Sequence, residues 1–359
     1  MDPRSLVVRR SLWPALALVA ACAGGSPPAP QPSPVAAASA VGARSDVRET
    51  EVRRLLGALA HDSMEGRGTA TRGSERAARF IAAELAKYGV QPAGDSGFFQ
   101  RVPVALQTRN GRRVPRLLPS LEARDTVPPA DRATAVNVVG VIPGSDPSLR
   151  NEVVLIAAHY DHLGIRTGAG TDSIFNGADD DASGVVAVME IARAFARGPA
   201  PKRTVVVAAT TGEEVGLLGT RWYIDHPARP LESTVSNLEI EMIGRPDSLG
   251  GGPGRGWLTG FERSTMGELF ANAGLPIVAD KRLDQQFFMR SDNIAFARRG
   301  IVAHTLSSYN MHQEYHTPAD DVSRVDFPHM TQVVDLAVRA ARLLADTPAK
   351  LEWKAGGRP

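Results

Sequence analysis

Between Ala157 and Gly184 the chain reads AAHYDHLGIRTGAGTDSIFNGADDDASG, which holds two histidines and five aspartates and no cysteine. A set this dense is either a solvated loop or a site that holds a cation, and what joins it from elsewhere decides between them. Glu213 and Glu214 lie in TTGEEVG, Glu241 in NLEIEMIGR, and Tyr315 and His316 in EYHTPADD. Imidazoles and carboxylates without thiols form the donor set that zinc takes in hydrolases. One catalytic zinc is satisfied by three side chains and a water. Five side chains from this set are enough for two metals if one carboxylate bridges them. Repulsion between two divalent cations calls for anionic ligands, which Asp and Glu supply and neutral His does not. In Glu213-Glu214, neighbours in a tight loop can point in different directions, one to a metal and one to the water beside it. The plainer alternative is two exposed acids at the start of a helix, where the helix dipole favours them.

The candidates follow apolar runs that read as strands. EVVLIAAH ends at His159, RTVVVAATT precedes Glu213, VSNLEIE ends at Glu241, and GIVAHTLSS precedes His316. Val/Ile-rich runs without alternation suit strands covered on both faces. Between them lie helical patterns in SGVVAVMEIARAFAR, LLGTRWYIDH and STMGELFANAG, a glycine-rich loop over 250–256, and a final helix around 329–345. Strands alternating with helices predict a three-layer α/β/α sandwich with a mixed, mostly parallel central sheet. Ligands in such sheets bind beyond the carboxyl ends of the strands, where these residues fall. Two amphipathic helices come first, VRETEVRRLLGALA capped by Ser45 or Asp46, and ERAARFIAAELAKYG, introduced by Gly73-Ser74 and stopped by Gly89. Residues 98–142 read as β-rich with a turn at Asn110-Gly111, and 98–135 as a small excursion of the sheet.

Composition is that of a globular chain, 43% apolar and 22% charged. A net charge of +2 gives no basis for bulk binding to nucleic acid or acidic membranes. Arg4, Arg9 and Arg10 precede an apolar run from Leu12 to Ala21, too short for the ~20 residues of a membrane span. The single cysteine, Cys22, ends that run. This start resembles a bacterial lipoprotein signal, with an ordinary signal peptide and an incidental cysteine as the alternative. It predicts a signal over 1–21, a lipid on Cys22, and a place in the bacterial cell envelope. Alanine at position 23 favours the outer membrane, on its periplasmic side, with secretion as the other outcome. A Pro/Ala-rich tether over 22–45 would then lead to one catalytic domain over 46–348.

In this order, HYDHLG, NGADDDASG, TGEEVGLLGT, NLEIEMIGR and EYHTPADD resemble the co-catalytic di-zinc metallopeptidases, peptidase family twenty-eight of clan MH. HDSMEGRGTATRGSERAARFIAAELAKYGVQPAG also resembles the lead-in of its bacterial aminopeptidases. The resemblance implies a zinc-exopeptidase fold, two Zn2+ per chain and peptide substrates. It implies His159 and Glu241 as ligands of one zinc, Glu214 and His316 as ligands of the other, and Asp180 as the bridge. Glu241 stands where the family commonly has Asp, and Asn237 and Glu239 are nearby alternatives. The resemblance further implies Glu213 as general base, Asp161 as the acid that orients His159, Tyr315 as an oxyanion donor, and a cis Asp180–Asp181 peptide. His162 reads as a loop histidine near the site, Asp179 and Asp181 as capping acids, and His226, His304, His312 and His329 as structural. Aminopeptidase action is the leading expectation, with carboxypeptidase or dipeptidase action, glutaminyl cyclisation and non-catalytic binding as alternatives. Arg290, Ser291 and Asp292 resemble the family's specificity wall. Asp284 and Asp292 could serve a free amine, and Arg282, Arg290 and Arg298 a free carboxylate.

Overall fold

The computed structural model describes residues 45–167 and 170–359. The leader, Cys22 and nearly all of the tether lie outside the described residues. The strands are β1 (Gln91–Pro92), β2 (Phe99–Arg109), β3 (Arg112–Leu117), β4 (Arg132–Ile142), β5 (Val153–His159), β6 (Gly164–Ile165), β7 (Ile174–Phe175), β8 (Thr204–Thr210), β9 (Thr234–Ile240), β10 (Gly256–Leu258), β11 (Ile277–Ala279) and β12 (Val302–Ser307). The helices are α1 (Glu49–Leu59), α2 (Arg72–Tyr88), α3 (Gly184–Arg197), α4 (Leu218–Asp225), α5 (Thr265–Asn272), α6 (Asn293–Arg298) and α7 (Phe327–Asp346).

One large sheet runs β11-β10-β12-β9-β5-β8-β4-β2-β3, with β1 beside β4, while β6 and β7 form a separate ribbon. Its centre, β12-β9-β5-β8, is parallel throughout. Strands β4, β2 and β3 continue the sheet antiparallel. Every residue of β5 and of β8 is buried. Val154, Ile156 and Ala158 pack with α1, α2, α3 and α7 on one face. Val153, Leu155 and Ala157 pack with Tyr223 and Ile224 of α4 and Phe296 of α6 on the other. Both faces are therefore apolar, which is why the sequence shows continuous runs in place of alternation. The predicted three-layer α/β/α sandwich is the observed architecture. Among the described residues, no helix is long and apolar enough to cross a membrane.

The excursion over 98–135 extends the same sheet. Strands β2 and β3 join at Asn110-Gly111, whose φ values of 50° and 75° are those a two-residue hairpin turn requires. The helix caps differ from expectation at α1. Its N-cap is Arg48, which makes no side-chain cap. The Ser45 hydroxyl instead donates to Asp335 at 2.8 Å, and Asp46 pairs with Arg193 of α3 at 2.8 Å. Long-range partners from α7 and α3 have taken the two residues that local preference assigned to capping. Helix α2 is capped by Thr71 and Ser74 reciprocally and ends at left-handed Gly89.

His304 on β12 is buried, with Nδ1 2.7 Å from the Thr259 carbonyl and Nε2 2.7 Å from the Ser264 hydroxyl. Nδ1–H donates to the carbonyl, so Nε2 accepts from the hydroxyl and the ring is held neutral. Burial pulls its pKa down to about 4. The unfolded chain takes up this proton near ~6.5, so stability is lost as pH falls from there and the loss levels off below the folded value. The full loss is about 3 kcal/mol. Denaturant unfolding at pH 7 and pH 4.5 should show a smaller drop for His304→Gln than for the parent protein. Equal drops would mean that His304 does not titrate in this way.

Candidate metal centre

The parallel strands β12, β9, β5 and β8 end side by side, and their exits carry the candidate residues. His159 is the last residue of β5, Glu241 follows β9, Glu213 and Glu214 follow β8, and His316 lies in the segment after β12. Asp180 sits in the turn before α3, where the Asp180–Asp181 peptide is cis. Gly184 opens α3 so closely against β9 that a Cβ there would lie 2.1 Å from the Ile240 carbonyl oxygen. This explains the glycine in DDDASG, since any side chain would collide with the end of β9 and with the Asp181 carboxylate.

Asp180 is central. Its Oδ1 lies 3.3 Å from His159 Nε2, and its Oδ2 lies 3.1 Å from His316 Nε2. His316 Nε2 is also 3.3 Å from Glu214 Oε2. Two groups form, each with its donor atoms within 4.8 Å of one another: His159, Asp180 and Glu241, and His162, Asp180, Glu214 and His316. Asp180 belongs to both. Of Glu239 and Glu241, only Glu241 joins. His162 is the addition, with Nδ1 2.7 Å from Glu214 Oε1 and 3.7 Å from Asp180 Oδ2. Reading it as a loop histidine near the site understated it; its place three residues after His159 in HYDH was the available signal.

Several donors here are buried without aligned hydrogen bonds, among them His159 Nε2, both ring nitrogens of His162 and Glu214 Oε1. Burial pushes Glu213 and Asp181 well above the usual carboxylate range. Burial, reinforced by the charge of Asp180, pushes Glu241 up to about 7 against the pull of His159. Burial also works against the charged form of Asp180, yet His162, His159 and His316 hold its carboxyl well below the ordinary value. Crowded acids and orphaned imidazole nitrogens in one buried spot are what a divalent cation relieves. Oxygen and nitrogen donors without sulfur fit zinc.

The surrounding acids hold loops in place. Asp161 departs from its expected role. Its carboxylate Oδ1 lies 3.8 Å from His159 Nδ1, whereas its backbone carbonyl accepts from that nitrogen at 3.1 Å. The side chain instead accepts from the Glu213 N–H at 3.1 Å and the Thr69 hydroxyl at 2.7 Å. Its carboxylate thus places the loop of the expected base. Asp181 accepts from the N–H groups of Gly184 and Met242 at 3.1 and 3.0 Å. Asp179 accepts from the Gly244 N–H at 2.6 Å and meets His312 Nε2 at 3.1 Å. Asp320, not singled out in the sequence, accepts from the N–H of Asp180 at 3.0 Å.

A cleft of about 500 Å³ opens beside Glu213 and Glu241, walled by Met242, Trp257, Phe287, Tyr309 and Tyr315. The Tyr315 ring stacks on His316 with centroids 3.8 Å apart. Burial, then the charge of Asp180, keeps its phenol protonated. Arg290 and Ser291 line this cleft. The other proposed specificity residues do not: Arg282 pairs with Asp247 at 2.6 Å, buried Asp292 accepts from Thr210 at 2.7 Å, and Asp284 and Arg298 are exposed elsewhere.

Comparison with known proteins follows the same lines. A family model described as Peptidase family M28 matches residues 137–341. A probable zinc metalloprotease of Pyrenophora teres f. teres is 29% identical over 191 residues, covering 53% of this chain and 34% of the relative. A vacuolar membrane protease of Lachancea thermotolerans is 26% identical over 215 residues, covering 58% of this chain and 20% of the relative. The chain therefore spans about a third or less of these relatives. A zinc aminopeptidase from Bacillus subtilis superposes with a TM-score of 0.61 at 15% identity, covering 86% of this chain and 98% of that one, a likeness of fold. The expected location needs correction. Curated relatives from Lachancea thermotolerans, Talaromyces marneffei and Tuber melanosporum are named vacuolar membrane proteases, which speaks against a bacterial cell envelope. A short apolar leader followed by small residues and one cysteine is too generic to fix the compartment. The family match covers more than half of the sequence and includes every strand end that carries a candidate ligand, and the chain belongs to peptidase family M28.

Proposed function

We propose that this chain is a zinc-dependent exopeptidase, in the first instance an aminopeptidase, with two zinc ions sharing Asp180. One site is His159, Asp180 and Glu241; the other is Asp180, Glu214 and His316. The observation that carries the reading is one carboxylate set between two histidines, each with an acid of its own. Bound zinc supplies an acidified water and polarises the scissile carbonyl. Glu213 lines the cleft, belongs to neither ligand group, and has burial raising its proton affinity. It takes the proton as attack proceeds and returns it to the leaving amine. Tyr315 keeps its hydroxyl proton and donates to the oxygen on which charge develops. His162 braces Glu214 through Nδ1, 2.7 Å from Oε1. The aromatic wall suits an apolar side chain on the residue to be released.

Glu241→Gln should leave about one zinc per chain where the parent protein binds two, counted by elemental analysis after equilibrium dialysis. An unchanged count would remove Glu241 from the set. A glutaminyl cyclase with a single zinc would need neither His159 nor Glu241, so the same count bears on that alternative. Aminoacyl-nitroanilides tested against N-blocked dipeptides, with zinc present, separate the exopeptidase modes. Cleavage confined to the N-blocked dipeptides would replace the aminopeptidase reading with a carboxypeptidase one.

A further inference from the structure

A second cleft, about 1010 Å³, shares no lining residue with the first. His162 and Glu214 line it, together with Arg112 and Arg113 of β3 and Arg166, which follows β6. The excursion of the sheet thus brings arginines of a surface hairpin to the rim of a metal site. Arg113 is engaged with Asp131 at 2.7 Å. Among the described residues, neither Arg112 nor Arg166 forms an ion pair with a carboxylate. Arg166 is half-buried, with its guanidinium 5.2 Å over the Phe175 ring. Burial and then the neighbouring charge of Arg112 lower its pKa, and Glu214 is the acid that opposes them.

Solvated surface arginines are common and carry little energy. These two differ because they line one cleft, where the charge of Arg112 works against that of Arg166, and because the acid that eases Arg166 is a metal ligand in the reading above. With Glu214 committed to a cation, the pair faces the cleft without a counter-charge. Two guanidinium groups present the fork of donors that matches a carboxylate. We propose that Arg112 and Arg166 form a subsite for the free carboxylate of a short peptide, on the Glu214 side of the metal centre and separate from the aromatic cleft. An apolar first residue would occupy the aromatic cleft and the C-terminal carboxylate the basic one, with the scissile bond between them. This assignment rests on the peptidase reading and narrows it to peptides of two or three residues with a free C-terminus.

The test compares Leu-Leu with its C-terminal amide in the zinc-loaded protein. The free acid should be favoured by about 10-fold or more in kcat/KM, carried mainly by KM, as one charge-assisted contact allows. The Arg112→Gln/Arg166→Gln double variant should bring the ratio near one. Arg112 is exposed but Arg166 is half-buried over Phe175, so the unfolding midpoint of the double variant is compared with the parent's to show that the fold is kept. A ratio near one in the parent protein, or a ratio that survives in the double variant, overturns the proposal. So does a ratio that collapses in Arg290→Gln while the double variant keeps it, since the carboxylate would then sit in the aromatic cleft. If neither peptide is hydrolysed, the peptidase reading fails and binding decides the subsite separately. Calorimetry should then show N-acetyl-leucine binding more tightly than N-acetyl-leucinamide, with the difference lost in the double variant. Equal binding of the two overturns the subsite.

Discussion

Glu213→Gln should leave two zinc ions bound and lower turnover by about 1000-fold, within the range of a general-base contribution. The substitution keeps volume and shape and removes only the proton acceptor. The basis for separating this residue from its neighbour is local geometry. Gly212, at φ 75°, turns the chain sharply after β8. The Glu213 N–H is then held by the Asp161 carboxylate at 3.1 Å. From that point the two side chains diverge, Glu213 to the cleft and Glu214 to His162 and His316. Glu214→Gln should therefore behave differently, losing zinc and activity together. Metal counts and single-turnover rates on both variants check the division of labour. Near-parental rates in Glu213→Gln, or zinc loss in both variants alike, would show that the roles are wrongly divided.

What the sequence revealed follows the range of the forces involved. Strands β5 and β8 were legible because burial on both faces leaves a continuous apolar run that composition alone displays. The convergence of the expected ligand positions was legible because strand ends follow strands, and ordered motifs fix five positions at once. Strands β10 and β11 were not, being three residues each, one at the end of the glycine-rich loop and one just after α5, with pairings that only the folded sheet defines. The caps of α1 were misplaced because Ser45 and Asp46 satisfy partners 290 and 147 residues away. At Asp161 the backbone carbonyl, and not the expected carboxylate, lies nearest His159 Nδ1, a distinction that sequence cannot make. Arg67 went unnoticed for the plainest reason: in MEGRGT nothing distinguishes a buried arginine from a solvated one.

Arg67→Met should destabilise the protein and also weaken its hold on zinc. The side chain is fully buried. It donates to four backbone carbonyls: Leu59 at 3.0 Å, Tyr160 at 2.8 Å, Asn176 at 2.5 Å and Gly177 at 2.8 Å. Leu59 closes α1, Tyr160 lies between His159 and Asp161, and Asn176 and Gly177 lead into Asp180. One guanidinium thus ties together the two segments that bring His159 and Asp180 to within contact. Methionine fills much of the space and satisfies none of the acceptors, and at roughly 1 kcal/mol for each stranded carbonyl the loss is about 4 kcal/mol. Lysine keeps the charge but concentrates its donors at one point, so it should recover only part of this. Stability alone would not separate positioning from packing. The discriminating measurement is the extra stability that zinc confers, since a ligand that binds only the folded state stabilises it according to its affinity. Unfolding of apo and zinc-loaded protein should show a smaller zinc increment in Arg67→Met than in the parent, with Arg67→Lys between. An undiminished increment would mean that Arg67 supports the fold and leaves the metal ligands where they are.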